Sequence, residues 1–204
     1  MRRPRSTSKR YVRRSREERR VIRVYPEGSV TEYEYLRHWE RANRSITLDW
    51  GESGMSPLSL VSRARDDCRL SQRSAKRDGA PQFDEIWCVF DVDTHPQVHQ
   101  AIFEATQSGV NVAVSNPCFE LWLVLHSHDQ RAHVDGRAIQ RQASNLGLID
   151  GKSVPEDAWG VLDDNYEDAR RRAKDLDHWH EGNGSPPRSN PSTDVWRLVD
   201  RLRS

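Results

Sequence analysis

The feature that most constrains the fold is a set of short, β-branched apolar runs that alternate with amphipathic segments. The runs lie at residues 21–25, 85–90 and 110–114. Runs of this kind are typical of strands covered on both faces, as in a parallel sheet. Residues 46–50 alternate in polarity and predict a further strand. The alternation of strands with helices therefore predicts an α/β fold with a mainly parallel sheet flanked by helices.

Apolar residues at helical spacing predict helices between these strands and after them. The approximate ranges are 30–42, 58–77, 96–107, 118–127, 136–145, 165–179 and 194–203. Ser29 or Thr31 is the expected N-cap of the first helix. Asn116, followed by Pro117, is the expected cap of the helix at 118–127. From about residue 130 the chain is mostly polar and helical, so we expect residues 130–204 to form a helical C-terminal extension.

Charge is distributed unevenly along the chain. Residues 1–20 contain ten Arg or Lys and two Glu, a net charge of +8, whereas the remaining residues sum to −7. We therefore expect a basic, disordered arm at 1–20 and a single domain at 21–204. A basic arm on an acidic body predicts contact with nucleic acid, so deleting residues 1–18 should weaken that binding and flatten its salt dependence. Docking of the arm on an acidic protein partner is the alternative.

The composition excludes several classes of protein. No apolar run approaches the roughly 20 residues that a membrane-spanning helix needs, and no apolar signal-peptide segment is present. The three cysteines, Cys68, Cys88 and Cys118, form no C-x-x-C pair, which argues against a disulfide scaffold or a zinc finger. We therefore expect a cytoplasmic protein without a membrane partner.

Acidic residues follow two of the predicted strands at the point where each strand ends. Glu27 follows the first strand, and Asp91 and Asp93 follow the run at 85–90. Ligands of open α/β sheets bind beyond the carboxyl ends of strands, and two carboxylates at i and i+2 point to one side. If the two strands are neighbours, the set predicts an Mg²⁺ or Mn²⁺ site. The alternative is that Asp91 and Asp93 cap the following helix and Glu27 is a solvated turn residue.

A second candidate group lies in the apolar helix predicted at 118–127. Glu120 falls in its first turn, where either the helix dipole or a cation such as a metal ion or an arginine would stabilise the carboxylate. His126 lies about 120° around the helix from Glu120 and is better explained as a hydrogen-bonded structural histidine. His178 and His180 are expected at the surface.

His95 follows the acidic pair and is a candidate to contact phosphate or to act as an acid or base. An exposed ring at a helix entry is the alternative. The helix N-terminus after Glu27-Gly28 offers backbone N–H groups to a phosphate. The glycine-rich fingerprints of Walker loops and of dinucleotide-binding folds are absent.

These motifs together resemble the RloB-like family. The resemblance covers roughly residues 20–203, and its most specific stretch is Ser115-Asn116-Pro117-x-Phe119-Glu120-x-Trp122. The other segments that carry it are Glu27-Gly28-x-x-Thr31-Glu32-x-x-Tyr35, Phe90-Asp91-x-Asp93-x-His95 and Asn190-Pro191-Ser192-Thr193. Pro26 stands where relatives often have Cys, which does not affect the proposed ligands.

The resemblance implies a compact, Toprim-like fold in which Glu27, Asp91 and Asp93 hold Mg²⁺ for phosphodiester chemistry. It further implies an effector of bacterial anti-phage defence and abortive infection, encoded beside an ATPase of the ABC/SMC type. We expect a metal-dependent nuclease acting on tRNA, other RNA or DNA. Glu120 would hold a second ion or orient a ligand, and His95 would contact the phosphate.

Two other functions are alternatives to the nuclease. The protein could be a non-catalytic module that docks on the partner ATPase or on nucleic acid, with a structural acidic cluster. A topoisomerase-like or primase-like nucleotidyl transferase would need additional domains that 204 residues do not hold. Metal-dependent cleavage by the purified protein distinguishes a nuclease from a binding module.

Overall fold

A computed structural model describes residues 19–79, 82–92 and 96–204. The strands are β1 (Arg20–Pro26), β2 (Ile46–Trp50), β3 (Glu85–Asp91), β4 (Asn111–Asn116) and β5 (Ser192–Thr193). The helices are α1 (Thr31–Ala42), α2 (Pro57–Asp78), α3 (Val98–Ser108), α4 (Glu120–Val124), α5 (Gly136–Asn145), α6 (Ala158–Asp164), α7 (Tyr166–Gly182) and α8 (Val195–Arg203). The predicted α/β class and the helical C-terminal part are confirmed.

The sheet has the strand order β2-β1-β3-β4-β5. β1 to β4 run parallel, while the short β5 pairs antiparallel with β4. The sheet is therefore mainly parallel, as the alternation predicted. Because β1 and β3 are hydrogen-bonded neighbours, their carboxyl ends lie side by side. This adjacency is the condition on which the sequence-based metal site depended.

Alternating side chains of β3 enter the two hydrophobic cores on either side of the sheet. Trp87 and Val89 belong to the larger core, which β1, α1, α4 and the C-terminal helices complete. Cys88 and Phe90 belong to the smaller core, against α2 and α3. Successive side chains of a strand point to opposite faces, so a strand covered on both sides must be apolar at nearly every position.

The helix starts differ from the capping predictions. No side chain caps α1, which Val30 precedes. The predicted helix at 118–127 is only five residues long and begins at Glu120. Asn116 does not cap it, because Phe119 occupies the N-cap position and no side chain caps the helix. The amide group of Asn116 donates instead to the carbonyl of Arg188 at 2.8 Å. The Asn116 side chain, which the local sequence predicted to be a helix cap, therefore bonds to a segment that is distant in the sequence.

The C-terminal part contains two elements that the sequence did not predict, α6 and β5. It also buries His180, which was expected at the surface, whereas His178 is exposed as expected. The Nε2 of His180 lies 2.9 Å from the carbonyl of Pro191. His180 is buried because the chain after α7 folds back across it, a contact that no local pattern encodes.

Three sequence-based assignments lie outside the described residues. They are the basic arm over residues 1–18, the carboxylate of Asp93 and the ring of His95. The predicted division into an arm and a single domain therefore stays a prediction. Within the described ranges, no helix combines the length and apolar character required to cross a membrane.

Candidate functional site

A cleft of about 370 Å³ opens at the carboxyl ends of β1 and β3, beside the first turn of α1 and the start of α4. Four acidic side chains line it, namely Glu27, Glu32, Asp91 and Glu120. Three of these were predicted as site residues. A cleft at this edge of a parallel sheet is the usual place for a ligand of an α/β fold.

Glu27 and Asp91 meet because their strands are neighbours. The backbone N–H of Glu27 donates to the carbonyl of Val89 at 2.8 Å, which extends the β1–β3 ladder by one residue. The backbone N–H of Asp91 donates to Oε2 of Glu27 at 3.1 Å. This contact holds the Glu27 carboxylate at the end of β3, where the Asp91 side chain also lines the cleft.

Glu120 brings a carboxylate to the cleft from an apolar helix. It is the first residue of α4 and only 8% exposed, and the other residues of α4 are buried hydrophobics. Burial, followed by the negative charges of Glu120 and Asp91, raises the pKa of the nearby Cys118 thiol. Cys118 is therefore a protonated thiol at neutral pH rather than a nucleophile or thiolate ligand.

Glu32 is a cleft residue that was not predicted as part of the site. It is 7% exposed, and its Oε1 accepts a hydrogen bond from the backbone N–H of Gly28 at 2.9 Å. Burial raises the pKa of Glu32, and the charges of Glu120 and Glu27 add to that effect. The sequence analysis predicted that the Gly28 N–H is available to a phosphate, but in the structure it donates to the Glu32 carboxylate. A side chain at Gly28 would overlap that carboxylate.

Lys152 enters the cleft from the C-terminal part of the chain. Its carbonyl accepts a hydrogen bond from Oγ1 of Thr31 at 2.5 Å. Two residues on, the N–H of Val154 donates to Oε2 of Glu34 at 2.7 Å. Both bonds tie the turn around Lys152 to α1. Among the described residues that line the cleft, Lys152 supplies the basic side chain, and no local motif marked it.

His126 lies outside the cleft and is a structural residue, as the sequence suggested. It is 1% exposed; its Nδ1–H donates to the carbonyl of Trp122 at 2.9 Å, and its Nε2 accepts from the hydroxyl of Tyr35 at 3.2 Å. Burial lowers the pKa of His126 to about 4. The ring is therefore neutral at pH 7 and fixes α1 against α4.

The chemistry of the cleft fits a hard divalent cation. Mg²⁺ and Mn²⁺ prefer carboxylate oxygens, and clustered buried carboxylates repel one another unless a cation offsets their charge. Within the described ranges, no group of three or more His, Cys, Asp or Glu side chains is arranged to hold a metal. Glu27 and Asp91 are thus two described members of the predicted set, and Asp93 lies outside the described residues.

Comparison with known proteins yields a family and no individual relative. A family model described as RloB-like protein matches residues 22–202, which is most of the chain. Neither the curated proteins nor the solved structures gave a significant match to the chain.

Proposed function

This chain belongs to the RloB-like family, and from that premise we propose that it is a metal-dependent nuclease of the Toprim type. The observation that carries the proposal is the contact between Glu27 and the end of β3 in an acidic cleft, beside Asp91. These residues come from two neighbouring parallel strands, which is where an α/β fold assembles a ligand site.

In the proposed enzyme, Glu27, Asp91 and Asp93 hold Mg²⁺ or Mn²⁺. The bound cation would activate a water molecule and stabilise negative charge on the scissile phosphate. Glu27 fixes the geometry, because its second role as acceptor for the Asp91 N–H restricts its carboxylate. Glu120 faces the same space and holds a second ion or orients a group bound to the first. His95 is assigned to the phosphate.

Lys152 supplies positive charge to an otherwise acidic cleft. Its ammonium group forms no ion pair with any described residue, while hydrogen bonds to Thr31 and Glu34 hold its turn. A phosphate group approaching four carboxylates is repelled, so a lysine on the rim favours its entry and its correct orientation. We assign Lys152 to binding of the substrate phosphate.

We also propose that the nuclease acts as a toxic effector in bacterial anti-phage defence, together with an ABC/SMC-type ATPase. The motif resemblance over residues 20–203 supports this part of the proposal. The target is tRNA, another RNA or DNA.

The decisive experiment incubates the purified protein with tRNA, single-stranded RNA, single-stranded DNA and duplex DNA. Each substrate is tested with Mg²⁺, with Mn²⁺ and with EDTA, with and without the proposed ABC/SMC-type ATPase. We expect cleavage of at least one substrate that EDTA abolishes. Asp91→Asn and Glu27→Gln should lower the cleavage rate by at least about 100-fold.

The matched control is Asp164→Asn, which makes the same chemical change at an exposed position of α6 outside the cleft. Its cleavage rate should equal that of the wild type. Binding of nucleic acid or of the ATPase without cleavage under every condition would contradict the nuclease and support the non-catalytic module instead.

A further inference from the structure

A second concave surface lies on the other side of the turn that carries Lys152. This α1 groove has a volume of about 610 Å³ and is lined by Tyr33, Arg37, His38 and Arg41 of α1 and by Trp159 of α6. The α1 residues recur at helical spacing and form one partly exposed stripe of the helix. Neither the family match nor the proposed catalytic cleft assigns a role to this surface.

The α1 groove and the cleft share one wall. Lys152 lines the cleft and Val154 lines the groove. The segment between them is anchored at both ends, since Thr31 bonds to Lys152 and Glu34 bonds to Val154. An extended ligand that leaves the cleft beside Lys152 therefore crosses a fixed turn and reaches the groove directly.

Positive charge in the α1 groove is available to a ligand. Arg37 and Arg41 lie one helical turn apart, and neither forms an ion pair with a described residue. By contrast, Arg170 and Arg171 of α7 each pair with carboxylates. Two acidic residues also line the groove: Glu34, whose carboxylate accepts the N–H of Val154, and Glu156, which is exposed.

The groove also orients its arginine and contains two partly exposed aromatic rings, Tyr33 and Trp159. The guanidinium of Arg37 donates to the hydroxyl of Tyr33 at 2.7 Å and lies 5.5 Å from the centre of that ring. The remaining guanidinium N–H groups of Arg37 point to no described acceptor within hydrogen-bonding distance. On the opposite wall, Trp159 is partly exposed and stacks with His38 at 4.3 Å. Aromatic and arginine surfaces of this kind accept unpaired bases and the phosphate backbone.

We propose that the α1 groove binds the backbone of a single-stranded nucleic acid whose next phosphates enter the cleft. This inference rests on the proposed function, because it names the substrate class and the path by which the substrate arrives. A single strand can bend over the 150–154 turn, whereas a duplex is stiff over about 150 base pairs and cannot follow so tight a path.

The test measures binding without cleavage. A labelled single-stranded oligonucleotide is titrated in EDTA at two salt concentrations with the full-length wild type, with Arg37→Glu/Arg41→Glu and with Arg69→Glu/Arg73→Glu. The second pair lies on α2 with the same spacing and makes the same charge change, outside both the groove and the cleft. Thermal melting of all three proteins checks that each is folded.

We expect the groove variant to lose about tenfold or more in affinity, and its log–log salt slope to fall by about 1.4 for two lost phosphate contacts on a single strand. The α2 variant should stay close to wild type. Any contribution of the basic arm is common to both variants, so their difference reports on the groove.

Equal affinity and equal slopes for the two variants would overturn the inference. Unlabelled duplex DNA and an unlabelled single strand are also tested as competitors against the wild type, and equal competition by the two would likewise overturn the inference. The two proposals can fail separately. If only the groove variant loses affinity and the wild-type protein cleaves no substrate, the binding proposal holds and the nuclease proposal is refuted. If the groove variant binds and cleaves like the wild type, only the binding proposal is refuted.

Discussion

Two regions of this molecule surround carboxylates with different partners. In the cavity between α7 and α8, Asp194 accepts the backbone N–H of Val114 at 2.5 Å and pairs with Arg188 at 2.9 Å. In the cleft at the sheet edge, four acidic residues line one space, and Lys152 is the basic residue among the described residues that line it. A buried acid that is paired with an arginine holds the fold together, whereas acidic side chains that line one open cleft are suited to binding an external cation.

The largest expected difference between the two regions is in the free energy of unfolding. Asp194→Ala leaves the Arg188 guanidinium and the Val114 N–H without their partner, so it should lower the unfolding free energy by about 3 kcal/mol. Asp91→Ala removes one of several repelling charges and should leave stability unchanged or slightly higher. Urea denaturation of the apo proteins measures both.

Asp164→Ala, at an exposed site on α6, is the control and should behave like the wild type. If Asp91→Ala unfolds as readily as Asp194→Ala, Asp91 is a structural residue and the contrast between the two regions is lost.

Substitution of Lys152 should have the next largest effect, which is on the cleavage rate. Lys152→Met should lower the cleavage rate by about 10- to 100-fold, because it removes the cation that receives the substrate phosphate, while Lys152→Arg should retain much of the rate. The melting temperature should not change, since the ammonium group has no ion pair among the described residues. Lys174→Met, on α7, is the matched control for cleavage. A cleavage rate for Lys152→Met equal to wild type would remove Lys152 from the site.

A smaller effect is expected at Gly28, where the Glu32 carboxylate leaves no room for a side chain. Gly28→Ala should destabilise the protein by about 1–2 kcal/mol, because the new methyl group displaces the Glu32 carboxylate from the Gly28 N–H. Since that side chain causes the overlap, the double variant Gly28→Ala/Glu32→Ala should lose less than the sum of the single changes. A double-mutant cycle in urea tests the coupling. Additive losses would show that the Gly28 backbone, and not Glu32, limits this position.

The smallest effect concerns pH. The folded-state pKa of Glu32 is raised by burial and by its acidic neighbours, so the proton is bound more tightly in the folded state. Its contribution to stability is therefore greatest at acidic pH and is lost as pH rises through the folded pKa. Glu32→Gln should therefore stabilise the apo protein at neutral pH, because burial disfavours the charged carboxylate and the amide carries no charge.

The same substitution should have no effect well below the ordinary glutamate pKa, because both side chains are then neutral. Denaturation from about pH 2.5 to pH 8 measures the difference, because the ordinary glutamate pKa is about 4.3, with Glu52→Gln on an exposed loop as control. A gain that persists undiminished at acidic pH would show that the charge of Glu32 is not its cause.

Much of the fold follows from local sequence. The apolar run of β3 requires a strand covered on both faces, and the segments of β1, β2, α5 and α7 were recognised from periodicity alone. The placement of Glu27 and Asp91 at strand ends was also visible, because a strand's end is a local property. Their contact required one further fact, the pairing of β1 with β3.

The sequence by itself determined which segments are strands and helices and which acids end the strands, since these depend on neighbours within a few residues. Tertiary structure alone decided that Lys152 lines the same cleft as Glu27, although more than 100 residues separate them in the sequence. It also decided that the Asn116 side chain bonds to the Arg188 carbonyl and caps no helix, and that His180 is buried. Each of these depends on which distant surfaces pack together. A side chain's burial and charge environment are set by that packing, and local periodicity does not record it.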